Sequence, residues 1–260
     1  MMFQTIELKR DNRIATLTLN RPNAMNAMDD VMMRELADAF EELKSDQEIQ
    51  VLLIKGAGRT FSAGGDIKKM INPESPMDMG EVMQHITRLA KTLYLLPQIT
   101  IAVIHGSAAG LGFSLALGCD ILVAEEDSKL AMNFIGIGLV PDGGGHFFLK
   151  ERIGTTNAKK MIWGGEVLDA KTAKAAGLVD ELVPTGQAEL AASQVATSLL
   201  STPIAAMIAS KRILHESKRD ELEHMLQLES ESQIAMRNTA DHLEGIRAFV
   251  EKRQPVFSGN

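Results

Sequence analysis

The chain has 260 residues, 45% of them hydrophobic, with a net charge of −7 at pH 7 and a single cysteine, Cys119. A chain of this length can bury one large core, and scattered Lys and Arg residues on an acidic background exclude nucleic acid as an expected partner. Residues 1–10 lack the apolar centre of a secretory leader, no apolar run approaches about 18 residues, and a lone cysteine excludes an intrachain disulfide, so we expect a cytoplasmic protein without a membrane partner.

The first half of the chain predicts strands and helices in alternation. Apolar and polar residues alternate over 6–9 and 14–19 around Asp11 and Asn12, which predicts a hairpin. Helical spacing over 28–43 follows, with Asp29 placed to cap the helix. Further along, the pattern predicts strands at 51–55, 100–104, 121–124 and 129–132, and helices at 80–95 and 110–117. This repeated order of strand and helix indicates an α/β core with crossover connections.

The chain changes character after residue 143. One strand signal remains, at 178–183, and helical spacing covers 187–200, 203–215, 222–238 and 242–253. Prolines and glycines separate these segments without a low-complexity linker. We therefore predict a core of residues 1–195 and a helical C-terminal region of residues 196–260.

Two glycine-rich segments, residues 59–66 and 105–112, each follow a predicted strand and lead into a helical pattern. A strand-to-helix turn of this kind leaves backbone N–H groups unpaired at a helix N-terminus, where the helix dipole favours negative charge. Two such turns facing each other would supply the two donors of an oxyanion hole. Phosphate binding uses the same geometry, so the glycine pattern alone leaves both uses open.

A third glycine-rich segment lies at 138–145, and the order of motifs along nearly the whole chain resembles the crotonase, or enoyl-CoA hydratase/isomerase, superfamily. The other matching motifs are NRPNAMNA at 20–27, GCDI at 118–121, GLV at 177–179 and the tail at 245–253. The resemblance implies an α/β fold, a crotonase-like spiral of β-β-α units with a C-terminal helical trimerisation region. It also implies an acyl-CoA thioester substrate, a trimer or a dimer of trimers, no separate cofactor since coenzyme A is part of the substrate, and no metal.

Carried over residue by residue, the resemblance places the oxyanion hole at the backbone N–H groups of Gly65 and Leu111. It places the coenzyme A part of the substrate at Ala24, Met25, Ser62, Ala63, Asp66, Ile67 and Lys68. A neighbouring subunit would contribute Phe249 and Lys252.

The sequence departs from the hydratase pattern at the positions that decide the reaction. Hydration uses two glutamates, and the matching residues are Ser114 and Phe134, neither of which can act as a carboxylate base. Asp142 falls where double-bond isomerases of the family place a catalytic Asp or Glu, with Phe134, Ile135 and Ile137 as an apolar wall. We therefore predict isomerisation of a 3-enoyl-CoA to a 2-enoyl-CoA, in fatty-acid or aromatic-acid catabolism.

Other interpretations stay open at this point. Read without the resemblance, the Asp142 side chain suits a helix N-cap, and His146, one turn further on, could tune its pKa. A hydratase with non-standard acids would draw on Glu81 or His85, beside a segment at 72–80 that could cover the acyl pocket. A crotonase-fold protein that binds acyl-CoA without catalysis is the alternative from a different class.

Overall fold

The computed structural model describes residues 3–70 and 78–260 of the chain. The strands are β1 (Ile6–Asp11), β2 (Ile14–Leu19), β3 (Val51–Gly56), β4 (Ile99–Ile104), β5 (Ser107–Ala109), β6 (Ile121–Glu125), β7 (Lys129–Ala131), β8 (Val167–Asp169) and β9 (Glu181–Val183). The helices are α1 (Asp30–Lys44), α2 (Ile67–Met70), α3 (Met79–Tyr94), α4 (Leu111–Leu117), α5 (Gly145–Gly164), α6 (Ala170–Ala175), α7 (Ala188–Leu200), α8 (Ile204–Glu216), α9 (Arg219–Met236) and α10 (Ala240–Glu251).

The strands form two sheets. The larger has the order β1-β2-β3-β4-β6-β9, in which only β1 and β2 are antiparallel, and the smaller has the order β5-β7-β8. Parallel neighbours need crossover connections, which α1, α3 and α4 supply on one side of the large sheet. The predicted α/β spiral with helices at its C-terminal end is confirmed, as is the hairpin of β1 and β2.

Both faces of the large sheet are buried. Along β3, Leu52 and Ile54 belong to the main core with α1 and α3, whereas Val51 and Leu53 face a second cluster with α7. Successive side chains of a strand point to opposite faces, so a central strand of such a sheet is apolar throughout. The short apolar runs of the sequence therefore predicted these strands well.

The predicted boundary at residue 195 falls inside α7, which runs unbroken to Leu200. Ala188, Ala192 and Ala196, one helical turn apart, are fully buried against the large sheet. The helical spacing over 187–200 predicted α7 correctly, and residues 201–203 separate α7 from α8.

The remaining C-terminal helices pack on the core. α9 contacts α3 and α5, and α10 contacts the short 3-10 helix Asn133–Ile137. Over the described residues, no single helix has the length and apolar composition to span a membrane; only α7 and α8, bent by 102°, reach that composition together. No strand was predicted at β5 or β8, which have three residues each.

Candidate active site

The two glycine-rich segments lie side by side. Ser62 N–H donates to the Ser107 carbonyl at 3.0 Å, and Ala109 N–H donates to the Ser62 carbonyl at 3.0 Å. Gly64 has a φ of +94°, and a Cβ atom there would lie 2.7 Å from the Ala109 carbonyl oxygen. Gly110 has a φ of +51° and a ψ of −127° directly before α4. Both positions require glycine, one for close approach and both for backbone conformation.

This pairing brings the backbones of Gly65 and Leu111 to one cavity, with a volume of about 360 Å³. Leu111 is the first residue of α4, so its N–H group has no partner inside the helix. Within residues 3–70 and 78–260, no protein group accepts a hydrogen bond from either N–H. The two donors that the sequence predicted are therefore both available to a ligand.

The cavity is otherwise mostly apolar. Its lining side chains include Met33, Ile67, Val82, Ile86, Leu111, Phe134, Ile137, Leu139 and Phe249. Three lining residues carry strongly polar side chains, Asn133, Asp142 and Arg237, and Asp142 is the only carboxylate among the described residues of this lining. A pocket of this kind suits an apolar ligand that meets a single acid.

The Asp142 carboxyl group is 5% exposed, and its Oδ1 atom has no hydrogen-bond partner in the described part of the chain. Burial raises the pKa of Asp142 to about 8, and the negative charge of Glu229 adds to the rise while Arg237 opposes it. Desolvation disfavours a charged carboxylate, which explains the direction of this pKa shift. A carboxyl group that titrates near neutrality can both accept and return a proton.

The N-terminus of α5 is capped by Glu229, so the N-cap interpretation of Asp142 is wrong. The buried Glu229 carboxylate accepts from Gly144 N–H at 2.8 Å and from His146 N–H at 2.9 Å. His146 Nδ1 also lies 2.9 Å from Glu229 Oε1. His146 thus pairs with Glu229, one of the charged groups that act on the pKa of Asp142.

The two positions where hydratases carry glutamates hold no acid. Ser114 is fully buried in α4, and its hydroxyl lies 3.5 Å from the Gly110 carbonyl oxygen. Phe134 is buried, and both Phe134 and Ile137 line the cavity. Ile135 is 40% exposed and is not part of the cavity lining. The expected apolar wall is present at Phe134 and Ile137.

Glu81 and His85 lie on α3 but do not line the cavity, which Val82 and Ile86 face instead. The Glu81 side chain is 68% exposed, and His85 Nε2 lies 3.7 Å from Glu81 Oε1. The predicted cover over the pocket, residues 72–80, falls mostly outside the described residues. On the described side of the cavity, α3 contributes apolar side chains only.

Five of the residues predicted to bind coenzyme A cluster at the first glycine-rich segment. Ala63 and Ile67 line the cavity, and Ala63 N–H donates to the Met25 carbonyl at 3.0 Å, next to Ala24. Lys68 is exposed on α2 nearby. These positions fit a ligand that enters along the exposed edge of the segment.

Ser62 and Asp66 use their side chains within the protein. The Ser62 hydroxyl, fully buried, donates to the Asn26 carbonyl at 2.8 Å. An Asp66 carboxylate oxygen lies 2.9 Å from a guanidinium nitrogen of Arg21. Both side chains therefore make contacts within the protein, and their contact with coenzyme A stays a prediction.

Phe249 lines the cavity of its own chain from α10, where it is 56% exposed. Gly245 lets α10 pack onto the 3-10 helix Asn133–Ile137 of the same chain, because a Cβ atom on Gly245 would lie 2.7 Å from Ile137 Cα. The contribution of Phe249 and Lys252 from a neighbouring subunit stays a prediction. Lys252 follows as the exposed, left-handed cap of α10 and does not line the cavity.

Three polar residues of the site were not predicted: Asn133 in the 3-10 helix, and Glu229 and Arg237 further along the chain. The buried face of α9 carries Leu222, Leu226, Glu229 and Gln233. A glutamate on an otherwise apolar helical stripe needs a partner when buried. That spacing was a usable signal for Glu229, whereas Arg237, at the end of α9, gave none.

Comparison with known proteins now decides the family. The family model for enoyl-CoA hydratase/isomerase matches residues 9–260 of this chain. The chain belongs to the enoyl-CoA hydratase/isomerase family. Membership confirms the crotonase fold and makes this chain an enzyme of acyl-CoA metabolism.

Relatives in this family carry both hydratase and isomerase names. The Bacillus subtilis strain 168 protein YhaR, provisionally named an enoyl-CoA hydratase/isomerase, is 47% identical over 98% of this chain and 99% of its own length. The 1,2-epoxyphenylacetyl-CoA isomerase of Escherichia coli K12 is 34% identical over 99% of this chain and 100% of its own. A crystal structure of an enoyl-CoA hydratase from Mycobacterium avium subsp. paratuberculosis K-10 has a TM-score of 0.90 at 32% identity, covering 99% of this chain and 100% of that one. The reaction must therefore be argued from the residues of the site.

Proposed function

We propose that this enzyme isomerises 3-enoyl-CoA thioesters to 2-enoyl-CoA thioesters, with Asp142 as the group that moves the proton. The observation that carries the proposal is the Asp142 carboxyl group itself. It is buried, its Oδ1 atom has no partner in the described chain, and it is the only carboxylate on the described cavity lining.

A single carboxylate is enough for this reaction. The ionised Asp142 removes a proton from the α carbon, and the electrons of that C–H bond form a dienolate on the thioester. The protonated Asp142 then returns the proton to the γ carbon, which moves the double bond into conjugation and regenerates the carboxylate. No atom is gained or lost, so the step needs no second reactant.

The two backbone donors support the same chemistry. Negative charge develops on the thioester oxygen as the dienolate forms. Gly65 and Leu111 line the cavity, and their N–H groups have no protein acceptors among the described residues. Donors held in place for a developing oxyanion stabilise the transition state more than the substrate. Losing one such donor typically costs a factor of about 10² to 10³ in rate.

Hydration has weaker support in this cavity. It requires groups that place and activate a water molecule, yet Ser114 lies buried in α4 with its hydroxyl against the protein backbone and Phe134 has no proton to transfer. Glu81 and His85, the alternative acids, lie outside the described lining. An oxyanion site with one acid favours proton transfer within the substrate.

A two-substrate assay tests the proposal. The pure protein is given 3-hexenoyl-CoA and, separately, 2-hexenoyl-CoA, and the absorbance of the conjugated thioester is followed. An isomerase should raise the absorbance of the conjugated thioester when given 3-hexenoyl-CoA. It should consume 2-hexenoyl-CoA only until the equilibrium between the two isomers is reached. Rapid loss of 2-hexenoyl-CoA with formation of 3-hydroxyhexanoyl-CoA would identify a hydratase, and no change with either would favour binding without catalysis.

A further inference from the structure

The turn that carries Asp142 is held on both sides by α9. Before Asp142, Gln233 Nε2 donates a hydrogen bond to the Val140 carbonyl oxygen. After it, the Glu229 carboxylate accepts from the Gly144 and His146 N–H groups, at 2.8 and 2.9 Å. Glu229 is 3% exposed and Gln233 is fully buried, one helical turn apart on the same face. The C-terminal region thus fixes the backbone around the proposed base.

Glu229 accepts hydrogen bonds from the N–H groups at the start of α5, a role that the position of Asp142 in the sequence would also suit. α5 is interrupted at Gly154, where φ is +73° and ψ is 159°, and the residue before its first segment, Gly144, has no side chain to cap it. Acidic side chains are stabilised near the unpaired N–H groups of a helix N-terminus, and Asp142, two residues before Gly144, is near enough in sequence to accept from them. An Asp142 carboxylate used in this way would be hydrogen-bonded to the backbone and could not exchange protons freely.

We propose that Glu229 is a positioning residue for the reaction, capping α5 in place of Asp142 and so leaving the Asp142 carboxyl group free to face the substrate. The inference rests on the proposed function, because Glu229 acts through Asp142. It assigns a part of the active site to a helix that the sequence indicated only as a trimerisation element.

The charge of Glu229 provides a second readout besides the loss of the cap. The charged groups that act on Asp142 are Glu229 and Arg237, both from α9, and His146 of α5 contacts Glu229. Removing the negative charge of Glu229 removes one cause of the raised Asp142 pKa. The Asp142 carboxylate would then form at lower pH.

The test compares Glu229→Gln and Glu229→Asp with the wild type in pH profiles of 3-hexenoyl-CoA isomerisation. The Gln variant lacks the charge and offers one acceptor oxygen to two backbone donors. We expect its kcat to fall about tenfold or more, its KM to change less than about threefold, and the rising limb of kcat/KM to move to lower pH by on the order of half to one unit. The Asp variant keeps the charge on a shorter side chain, so its kcat should fall while the limb stays in place.

Glu231→Gln is the matched control. Glu231 lies on the exposed face of the same helix, where it accepts from Gln227 at 2.9 Å, and its replacement should leave both kcat and the limb unchanged. A folded Glu229→Gln enzyme with the wild-type kcat and an unmoved limb would overturn the inference. If that variant does not fold, as judged by circular dichroism, a folded Glu229→Asp enzyme with the wild-type kcat would overturn it. Asp142→Asn, measured in parallel, separates the two proposals: full activity there refutes the function of Asp142 itself.

Discussion

Gly64 lies so close to Ala109 that a Cβ atom on Gly64 would stand 2.7 Å from the Ala109 carbonyl oxygen. This contact joins the two glycine-rich segments and sets the distance between the N–H groups of Gly65 and Leu111. Real Cβ atoms do not approach a backbone oxygen so closely, and the positive φ of Gly64 adds strain for any other residue. The spacing of the two donors therefore depends on the absence of a side chain at residue 64.

Gly64→Ala should accordingly reduce kcat/KM for 3-hexenoyl-CoA by a factor of about 10² to 10³, because at least one donor moves away from the thioester oxygen. Steady-state kinetics and circular dichroism of the purified variant provide the measurement. Gly164→Ala is the matched control, because Gly164 is exposed on α5 and a Cβ atom there meets its nearest neighbour at 3.6 Å. A folded Gly64→Ala enzyme within threefold of the wild type would contradict this role of the glycine.

The pH profile of the wild-type enzyme follows from the raised pKa of Asp142, about 8. Only the ionised carboxylate can remove the α proton, so kcat/KM should rise with pH and level off above about pH 8. The pH dependence of kcat/KM reports the free enzyme, in which this pKa applies. Initial rates measured between pH 5.5 and 9.5 would test this rise in kcat/KM. A kcat/KM that does not change with pH above about pH 5 would indicate an ordinary aspartate pKa and contradict the prediction.

Arg237 should act on Asp142 in the opposite sense to Glu229. Its positive charge lowers the pKa of Asp142, so Arg237→Gln should move the rising limb of kcat/KM to higher pH. Arg237→Lys keeps a positive charge on the cavity wall and should move the limb less. Equal shifts in the two variants would mean that the loss of the guanidinium shape, and not of its charge, causes the effect.

Asp142 should also cost the protein stability at neutral and alkaline pH. Its folded-state pKa is raised, so the stability present below the ordinary aspartate pKa is lost progressively as the pH rises towards about 8. Each pH unit in that window costs up to about 1.4 kcal/mol. Asp142→Asn should therefore melt at a higher temperature than the wild type at pH 8, and the gap should narrow towards pH 4. Asp127→Asn, at an exposed carboxyl group, is the control, and its melting temperature should differ from that of the wild type by the same amount at every pH. A difference for Asp142→Asn that also does not change with pH would contradict the proposed cost of burying the charged carboxylate.

The sequence predicted the fold well where local pattern decides structure. Apolar runs such as that of β4 identify central strands, and Asp29 caps α1 by accepting from Met32 N–H at 3.0 Å, as its position indicated. β5 was not predicted because it lies inside the glycine-rich segment 105–112, which indicated a turn, and the three residues of β8 show no alternation that stands out from the helical pattern around them. The face of α7 could not be assigned either, because alanines one turn apart pack equally well on a sheet or on other helices.

In the site, too, the residues in local motifs could be predicted, whereas those brought in by long-range packing could not. The resemblance pointed to Gly65, Leu111 and Asp142 through short motifs that are contiguous in sequence, and all three residues line the cavity. Glu229 reaches Gly144 across 85 residues of sequence, and no local pattern could show that it, and not Asp142, caps α5. The same packing of the C-terminal helices puts Phe249 on the cavity of its own chain.

The rate of 3-hexenoyl-CoA isomerisation by the Asp142→Asn variant tests the proposed reaction most directly. An amide cannot remove the α proton, so the rate should fall by a factor of about 10² to 10⁴. Binding of a saturated hexanoyl-CoA should stay within a few-fold of the wild type, because the asparagine has nearly the same shape. An Asp142→Asn enzyme that isomerises 3-hexenoyl-CoA at the wild-type rate would contradict the assignment of Asp142 as the proton carrier.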